Sequence, residues 1–461
     1  MYNIDFDKKI NVHFVGIGGI SMSALAEILL SKGFLVSGSD MKESELTRKL
    51  SILGAKIFCG HHKDNIAVDL DVIVHTAAVK EDNPELIQAK DLNIPVITRA
   101  ELIGQIMKNY EVAIGVSGTH GKTTTTSMVS QILIDAKKDP TVLVGGMLNF
   151  IEGNIRLGQS QNFITEACEY TNSFLSFHPS IAIILNISAD HMDFFKNIEE
   201  IRESFKKYTL LLPEHGTLII NSEIDNLDFF TNGLNANVIT FGLNPDKSDY
   251  CALNIISSDI SGISYDLYYK GDFKTKVQLC VPGVHNIFNS LAAAATCDSL
   301  HIPYETISSS LSSYTGCDRR FQFKGEVGGI TVIDDYAHHP DEIRATLEVL
   351  KDYKKGTIWC VFQPHTYTRT HAFLKDFALA LSLADKVILT DIYAAREKNT
   401  IGISSKDLMK ELEDLNADAY YIPSFDEIET FILEKCNPGD LLITMGAGDV
   451  VIIGEKLLGL R

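Results

Sequence analysis

The sequence predicts an α/β protein with three domains, each built on a parallel β-sheet with helices on its faces. Strand-like and helix-like segments alternate along most of the chain, which is the pattern of such sheets. Two glycine-rich turns, around Gly16 and Gly118, each join an apolar strand to a helix. A length of 461 residues suggests about three domains, each able to bury its own core.

The first predicted domain covers residues 1–108. It begins with NVHFVGIGGISMSALAEILLSKGFLVSGSD, which is typical of strand, glycine turn, helix and strand. A further strand lies in LDVIVHTAAV, and NIPVITRAELIGQIM is typical of a strand followed by a helix. We expect a parallel sheet here.

The second predicted domain covers residues 109–318 and the third covers 319–461. The second contains a glycine turn, a β-rich stretch over about 216–281 and an Ala-rich helix in HNIFNSLAAAATCDSL. The third contains strand ends followed by polar loops in GITVIDDYAHHPDEIRATLEVL, TIWCVFQPHTYTR and GDLLITMGAGD. Pro340, followed by Asp341 and Glu342, is typical of a first helical turn.

Composition narrows the function classes. The chain is 45% hydrophobic and 22% charged, with a formal net charge of −19, which argues against a protein whose main task is to bind nucleic acid or an anionic membrane. No secretory signal or stretch of eighteen apolar residues is present, so we expect neither secretion nor membrane insertion. The eight scattered cysteines fit reduced thiols in a cytoplasmic protein.

The first glycine turn contains Gly16, Gly18 and Gly19, and Asp40 ends the next strand. Such a turn can hold a pyrophosphate with backbone N–H groups at a helix N-terminus, with the carboxylate near a ribose. A steric interpretation of the same glycines is a tight strand–helix turn. Ser21 stands where the dinucleotide fingerprint has its third glycine. A nicotinamide oxidoreductase therefore remains an alternative that rests on this turn alone.

The second glycine turn lies in EVAIGVSGTHGKTTTTSMVSQIL, residues 111–133. The usual phosphate-loop spacing requires glycine where Val116 stands. Gly118 and Gly121 still permit a tight curl that points N–H groups at phosphate oxygens. Lys122 would reach the β- and γ-phosphates, and the Thr123 hydroxyl would bind Mg²⁺. A Thr-rich helix start explains the threonines but not a lysine inside the turn, so the sequence favours a phosphate site.

A phosphoryl-transfer site also needs groups that hold the metal ion. Glu166 follows one predicted strand, and Asp190 and His191 follow another. Histidine is an unusual Mg²⁺ ligand, and Glu169 is compatible with a solvated carboxylate. Spacing alone leaves these assignments open.

Several motifs occur in one order along the chain: the G-T-H-G-K-T-T loop, EACEY, SADHMDFF, HNIFNSLAA, DDYAHHP, FQPHTYTR and MGAGD. Together they resemble the Mur ligases of bacterial peptidoglycan synthesis, and the resemblance covers almost the whole chain. The family's own loop has this glycine spacing, which accounts for Val116. The resemblance implies a Rossmann-like first domain, a central P-loop ATPase-like domain and a Rossmann-like third domain.

The resemblance also implies three binding sites. The ATP site would consist of Gly118, Thr119, His120, Gly121, Lys122, Thr123, Thr124, Asn286, Asn289 and Arg319. The UDP-sugar site would consist of Gly16, Gly18, Gly19, His75 and Thr76. The amino-acid site would consist of Asp335, Tyr336, His338, His365 and Arg369. Metal ligands would be Thr123, Glu166 and His191, and the catalytic residues would be Lys122, Glu166, His191 and His338.

Two of these roles have local alternatives. His338 would orient or deprotonate the incoming amine, although DDYAHHP also fits a turn and a helix cap. Arg319 and Arg320 fit either phosphate contacts or surface ion pairs.

Two other positions bear on the resemblance. Lys206 falls where later enzymes of the pathway carry a carbamylated lysine, and we leave it out of the predicted site. Thr366 stands where some relatives have arginine.

The activity implied by the resemblance is ATP-dependent addition of L-alanine to the lactyl carboxylate of UDP-N-acetylmuramate, through an acyl phosphate and with Mg²⁺. The protein would be a bacterial cytoplasmic monomer or homodimer. Two alternatives remain besides the oxidoreductase. One is a ligase that adds a preformed peptide to the same sugar nucleotide in cell-wall recycling. The other is a nucleotide-dependent binding protein that forms no amide.

Overall fold

The computed structural model describes residues 2–192, 194–257, 262–353, 356–395 and 397–461. It contains three β-sheets that follow one another along the chain. The predicted boundaries at 108/109 and 318/319 lie between the last helix of one sheet's domain and the first strand of the next. The predicted three-domain α/β class is confirmed.

The first domain has a five-stranded parallel sheet in the order β3-β2-β1-β4-β5. Its strands are β1 Asn11–Val15, β2 Leu35–Asp40, β3 Lys56–Cys59, β4 Val72–His75 and β5 Val96–Thr98. Its helices are α1 Ile20–Ser31, α2 Glu45–Ile52, α3 Pro84–Asp91 and α4 Arg99–Met107. β1 and β4 are neighbours, so the glycine turn after β1 lies beside the residues that follow β4.

The central domain has a ten-stranded sheet in the order β15-β14-β13-β12-β11-β10-β6-β9-β7-β8. Its first strands are β6 Val112–Ser117, β7 Thr141–Leu148, β8 Gly153–Arg156, β9 Asn162–Glu166 and β10 Ile181–Ile184. The others are β11 Thr217–Asn221, β12 Asn237–Gly242, β13 Tyr250–Ser257, β14 Ile263–Tyr269 and β15 Asp272–Leu279. Neighbouring strands from β7 to β13 are parallel, whereas the β7–β8, β13–β14 and β14–β15 pairs are antiparallel.

The helices of the central domain pack on this sheet. They are α5 Lys122–Asp135, α6 Ile198–Thr209, α7 Asp228–Thr231, α8 Val284–Ser299 and α9 Tyr304–Ser313. The predicted Ala-rich helix is α8, whose alanines 292–295 are fully buried in one core with the apolar side chains of α5. Small side chains allow close approach, so α8 brings polar residues of its first turns beside the start of α5.

The third domain has a six-stranded sheet in the order β16-β17-β21-β18-β19-β20, in which only the β16–β17 pair is antiparallel among the described residues. Its strands are β16 Gln322–Val327, β17 Ile330–Asp335, β18 Ile358–Phe362, β19 Lys386–Leu389, β20 Ala419–Tyr421 and β21 Leu441–Met445. Its helices are α10 Pro340–Tyr353, α11 Tyr367–Ala372, α12 Leu374–Leu381, α13 Ser405–Asp414, α14 Phe425–Lys435 and α15 Val451–Leu457.

Two further findings concern the predicted class of protein. In the part of the chain that the structure describes, no helix is both long and apolar enough to cross a bilayer. All eight cysteines lie in that part, and each is a free thiol.

Candidate active site

The phosphate loop connects β6 to α5 at the carboxyl ends of β6, β9 and β10. Val116 is fully buried inside β6 and pairs with Glu166 of β9, so the loop begins only after Ser117. Gly118 and Gly121 have φ of 138° and 84°, values that favour glycine. A Cβ at Gly121 would lie 2.4 Å from Asn289 Oδ1. The loop is therefore shorter than the usual phosphate loop and is packed directly against α8.

Lys122 is the first residue of α5, and each of the three N–H donors of its ammonium group has an acceptor. Its Nζ donates to the carbonyl oxygens of Gly118 at 2.5 Å and Thr119 at 3.0 Å, and it lies 3.1 Å from Glu169 Oε2. Burial lowers the pKa of Lys122, but the charges of Glu169 and its neighbours outweigh burial and raise the pKa above its ordinary value. The lysine is therefore charged and held by the loop that it belongs to.

Glu169 is the residue of this site that sequence reasoning missed. Only 2% of it is exposed, so the interpretation as a solvated carboxylate is wrong. It precedes a 3₁₀ turn in which Thr171 and Asn172 adopt left-handed backbone conformations. The available signal was its position three residues after Glu166, at the carboxyl end of β9.

Thr123 and Glu166 provide the oxygen donors that Mg²⁺ prefers. Glu166 Oε1 accepts the Gly145 N–H at 2.6 Å. Cβ atoms added at Gly145 and Gly146 would lie 3.1 Å from Glu166 Oε1 and 3.1 Å from Thr123 Cγ2, respectively. The two side chains thus lie beside adjacent glycines of β7, where a larger residue would crowd them. A hydroxyl and a carboxylate beside a phosphate loop fit a Mg²⁺ ion.

His191 lies on the Glu169 side of the loop. Its Nε2 is 3.9 Å from Glu169 Oε1 and 3.7 Å from Asp190 Oδ2, and its ring packs on Tyr170 with 4.6 Å between centroids. Burial lowers the pKa of His191 despite the nearby carboxylates. The neutral ring is able to act as a ligand, and its role in metal binding stays a prediction.

A cavity of about 340 Å³ opens between the phosphate loop, α8 and the third domain. Its lining includes His120, Gly121, Thr124, Asn286, Asn289 and Arg320. Asn289 accepts the Thr125 hydroxyl and donates to Asn286 Oδ1, which ties α8 to α5. The structure thus brings the two predicted asparagines to the loop, at a cavity of nucleotide-site size.

Arg319 and Arg320 both place their guanidinium groups over the Tyr336 ring, but their other contacts differ. The Arg319 guanidinium donates to Asp334 Oδ2 at 3.0 Å and to the carbonyl oxygens of Gly446 and Gly448. These bonds hold the third domain together and leave Arg319 out of the cavity lining, which contains Arg320 instead. Arg320, rather than the predicted Arg319, is therefore the arginine that faces this cavity.

A second cavity, of about 580 Å³, lies between the central and third domains. Its lining includes Tyr170, Asp190, His191, His365, Thr366 and Arg369. Arg369 Nη2 donates to Asp190 Oδ1 at 3.1 Å across the domain boundary. His365 stacks on Tyr393 with 5.7 Å between centroids. His365 and Arg369 thus share one cavity with the predicted metal ligand His191.

The predicted residues of the DDYAHHP turn do not all lie at the same cavity. Both Asp335 oxygens accept bonds within the third domain, from the Ala337 N–H and the Thr346 hydroxyl, and burial raises the pKa of Asp335 to about 6. Asp335 lines the first cavity rather than the second. Tyr336 lies over the Arg320 guanidinium, 5.1 Å from the ring centroid. Asp335, Tyr336 and His338 are absent from the lining of the second cavity, which contains the other two predicted amino-acid residues, His365 and Arg369.

His338 is held in one tautomer. Its Nδ1–H donates to the Tyr336 carbonyl oxygen at 2.9 Å, so Nε2 carries the lone pair. Burial lowers the pKa of His338 to about 4, although Glu342 opposes this change. A base this weak is suited to accepting a hydrogen bond from an amine and poorly suited to removing a proton from an ammonium group.

The UDP-sugar residues meet in the first domain. The Gly16 N–H donates to the Ser39 carbonyl oxygen, and the Gly18 N–H donates to Asp40 Oδ2 at 2.9 Å. A Cβ at Gly16 would lie 3.0 Å from Thr76 Cγ2, and His75 ends the neighbouring strand. The glycine turn and His75–Thr76 therefore form one surface at the carboxyl edge of the sheet.

Lys206 lies outside these sites. Its Nζ donates to the carbonyl oxygens of Asn232 at 2.6 Å and Phe230 at 3.4 Å, beside α7.

Comparison with known proteins gives the family. The model of the Mur ligase family catalytic domain matches residues 11–111, that of the Mur ligase middle domain matches 116–297, and that of the Mur ligase glutamate ligase domain matches 319–448. The chain is 55% identical over 467 aligned positions to UDP-N-acetylmuramate–L-alanine ligase of Lachnoclostridium phytofermentans, covering 99% of this chain and 100% of that protein. The chain belongs to the Mur ligase family.

Two solved structures resemble this Mur ligase over its whole length. The UDP-N-acetylmuramate–alanine ligase of Thermotoga maritima is 32% identical with a TM-score of 0.80, covering 98% of this chain and 99% of that one. A murein peptide ligase from Psychrobacter arcticus is 24% identical with a TM-score of 0.71, covering 98% of each chain. The second likeness shows the shared fold alone.

Proposed function

We propose that this Mur ligase joins L-alanine to the lactyl carboxylate of UDP-N-acetylmuramate and hydrolyses ATP to do so. The observation that carries the proposal is a pair of cavities: one is lined by His120 of the phosphate loop and by Asn289, and the other by Arg369 and by His191, which lies 3.9 Å from Glu169, the ion-pair partner of Lys122. A ligase that consumes a nucleotide and an amino acid needs both. The 55% identity to a relative named for this reaction supports the choice of substrates.

The first step would transfer the γ-phosphoryl group of ATP to the lactyl carboxylate. The two reactants are anions, so their approach must be screened. Lys122 supplies a buried positive charge, and the N–H groups of the loop residues supply partial charges. A Mg²⁺ ion held by Thr123, Glu166 and His191 would add charge neutralisation at the phosphate oxygens.

In the second step, the neutral amine of alanine would form a C–N bond to the acyl carbon, the C–O bond to phosphate would break, and the amine proton would pass to the departing phosphate or to water. Arg369 would bind the carboxylate of alanine with its guanidinium group, in place of Asp190. His338 would accept a hydrogen bond from the neutral amine through Nε2 and orient it. Because His338 is too weak a base to collect the proton, we expect the rate to rise with pH as free amine becomes available.

The remaining assignments rest on the same proposal. Gly16, Gly18, Gly19, His75 and Thr76 would bind the diphosphate region of the sugar nucleotide. The reaction would take place in the bacterial cytoplasm, as a step of peptidoglycan precursor synthesis. The enzyme would act as a monomer or a homodimer.

The test is release of phosphate from ATP by the purified protein in the presence of Mg²⁺, with single amino acids supplied together with UDP-N-acetylmuramate. We expect release to require the sugar nucleotide and to be fastest with L-alanine, and mass spectrometry should detect the amide product. Equal release with and without the sugar nucleotide would refute the proposal.

One observation keeps the peptide-adding alternative open to the same test. The cavity that contains Arg369 has a volume of about 580 Å³, which is larger than alanine alone requires. Replacing alanine by a tripeptide in the assay separates the two reactions. Faster turnover with the tripeptide would favour the recycling activity.

A further inference from the structure

Three side chains of this Mur ligase converge at the boundary between the central and third domains, outside the proposed Mg²⁺ ligands. They are His120 of the phosphate loop and His339 and Asp341 at the start of α10. One potential ligand atom of each lies within 4.8 Å of those of the other two. The two imidazole rings are 4.9 Å apart between centroids. Three ligand atoms at this spacing can coordinate one metal ion.

Hydrogen bonding gives His120 a free lone pair. Its Nδ1 lies 3.1 Å from Glu342 Oε1, and an ionised carboxylate only accepts, so Nδ1 carries the proton. Nε2 of the neutral ring is then an acceptor. This atom is buried, and no group in the described part of the chain forms a hydrogen bond with it. A buried acceptor without a donor is costly unless a cation or a water molecule binds it.

His339 is held in the opposite tautomer. Its Nε2 lies 3.0 Å from the carbonyl oxygen of Ala189, which can only accept, so Nε2–H donates and Nδ1 carries the lone pair. Asp341 Oδ2 lies 3.7 Å from that Nδ1. The Asp341 N–H donates a long hydrogen bond of 3.3 Å to the same Nδ1. Nδ1 and the Asp341 carboxylate are nevertheless two neighbouring acceptors, and a cation bound between them would stabilise both.

The outer partners of both rings are those of metal-binding histidines. Such a histidine usually donates its second N–H to a carboxylate or a backbone carbonyl, which fixes the tautomer and the orientation of the ring. Glu342 provides the carboxylate for His120, and Ala189 provides the carbonyl for His339. Each ring therefore presents one nitrogen and is anchored through the other.

We infer that His120, His339 and Asp341 form a site for a divalent transition metal of the Zn²⁺ class, with water completing the coordination. Two imidazole nitrogens and one carboxylate oxygen suit Zn²⁺ and Co²⁺, whereas Mg²⁺ prefers oxygen ligands. The site shares no residue with the proposed Mg²⁺ ligands Thr123, Glu166 and His191. An ion bound there connects the phosphate loop to the third domain.

The test is titration of the purified full-length protein with Co²⁺ in excess Mg²⁺ and without nucleotide. The wild type should bind one equivalent and develop the intense visible bands of low-coordinate Co²⁺, and Zn²⁺ should abolish them. His339→Gln keeps an N–H for Ala189 but should remove the bands. Asp341→Ala changes a side chain that is 56% exposed, so the fold should persist while affinity falls at least about tenfold.

Two further variants sharpen the result. Glu342→Gln should weaken binding by about 10- to 100-fold through the outer partner of His120. His215→Gln, at an exposed histidine of the central domain, is the matched control and should change nothing. The inference is overturned if the wild type binds Co²⁺ only in six-coordinate form. It is equally overturned if His339→Gln and Asp341→Ala bind Co²⁺ as tightly as the wild type does.

Discussion

Glu169 and Lys122 form a buried ion pair beneath the phosphate loop, and the first prediction concerns its contribution to stability. The Lys122 Nζ–Glu169 Oε2 distance is 3.1 Å, and the glutamate is 2% exposed. With an effective dielectric constant of about 20, two unit charges at this distance attract each other by about 5 kcal/mol. Removing one partner of a buried pair usually costs about 3–5 kcal/mol, because the other charge stays buried.

We therefore expect Glu169→Gln to lower the free energy of opening of the central domain by about 3–5 kcal/mol. Lys122→Met removes the charge that Glu169→Gln leaves behind, so the double variant should be more stable than the sum of the two single losses predicts. Native-state hydrogen exchange at peptides of β6 and β10 measures this free energy within one domain, without assuming that all three domains unfold together.

The control is Glu43→Gln. Glu43 pairs with Arg48 on the surface of the first domain, and both side chains are more than half exposed. A surface pair contributes little, so this substitution should leave exchange unchanged. The reasoning is refuted if Glu169→Gln costs no more than Glu43→Gln, or if the effects of Lys122→Met and Glu169→Gln are simply additive.

Two further outcomes follow from the site. Arg320→Ala should raise the KM for ATP, whereas Arg319→Ala should lower the Tm of the third domain in calorimetry and change that KM less. Gly121→Ala should weaken ATP binding in calorimetric titration, because its Cβ would strain φ and crowd Asn289.

Much of the fold could be predicted because periodicity and glycine turns are local properties. In a parallel sheet the carboxyl ends of the strands lie at one edge, so polar residues that follow different strands lie close together. This geometry brings Lys122, Glu166 and His191 to the same region, although 69 positions separate the first from the last. The two glycine turns could also be predicted, because a tight strand–helix junction requires glycines at adjacent positions of the sequence.

The site residues that could not be predicted lie in loops, where side-chain positions depend on the path of the chain after a strand ends. Arg319 and Arg320 are adjacent in sequence and both lie over the Tyr336 ring, but Arg319 has φ of 61°, and only Arg320 lines the first cavity. Sequence spacing contains no signal for that turn. Glu169 was similarly ambiguous, because its burial depends on the 3₁₀ turn that follows it. The pairing of His120 with Glu342 depends on the arrangement of two domains, which no local pattern encodes.

The three hydrogen-bond partners of the Lys122 ammonium group bear on the proposed phosphoryl transfer. A lysine has three N–H donors, and the carbonyl oxygens of Gly118 and Thr119 together with Glu169 occupy all of them. Under the proposed function, an incoming γ-phosphate would replace one of these partners, and the exchange that conserves charge is phosphate for the Glu169 carboxylate. Glu169 would then keep Lys122 charged and oriented until the nucleotide arrives, which would preorganise the loop for phosphate and limit the solvent that must be displaced.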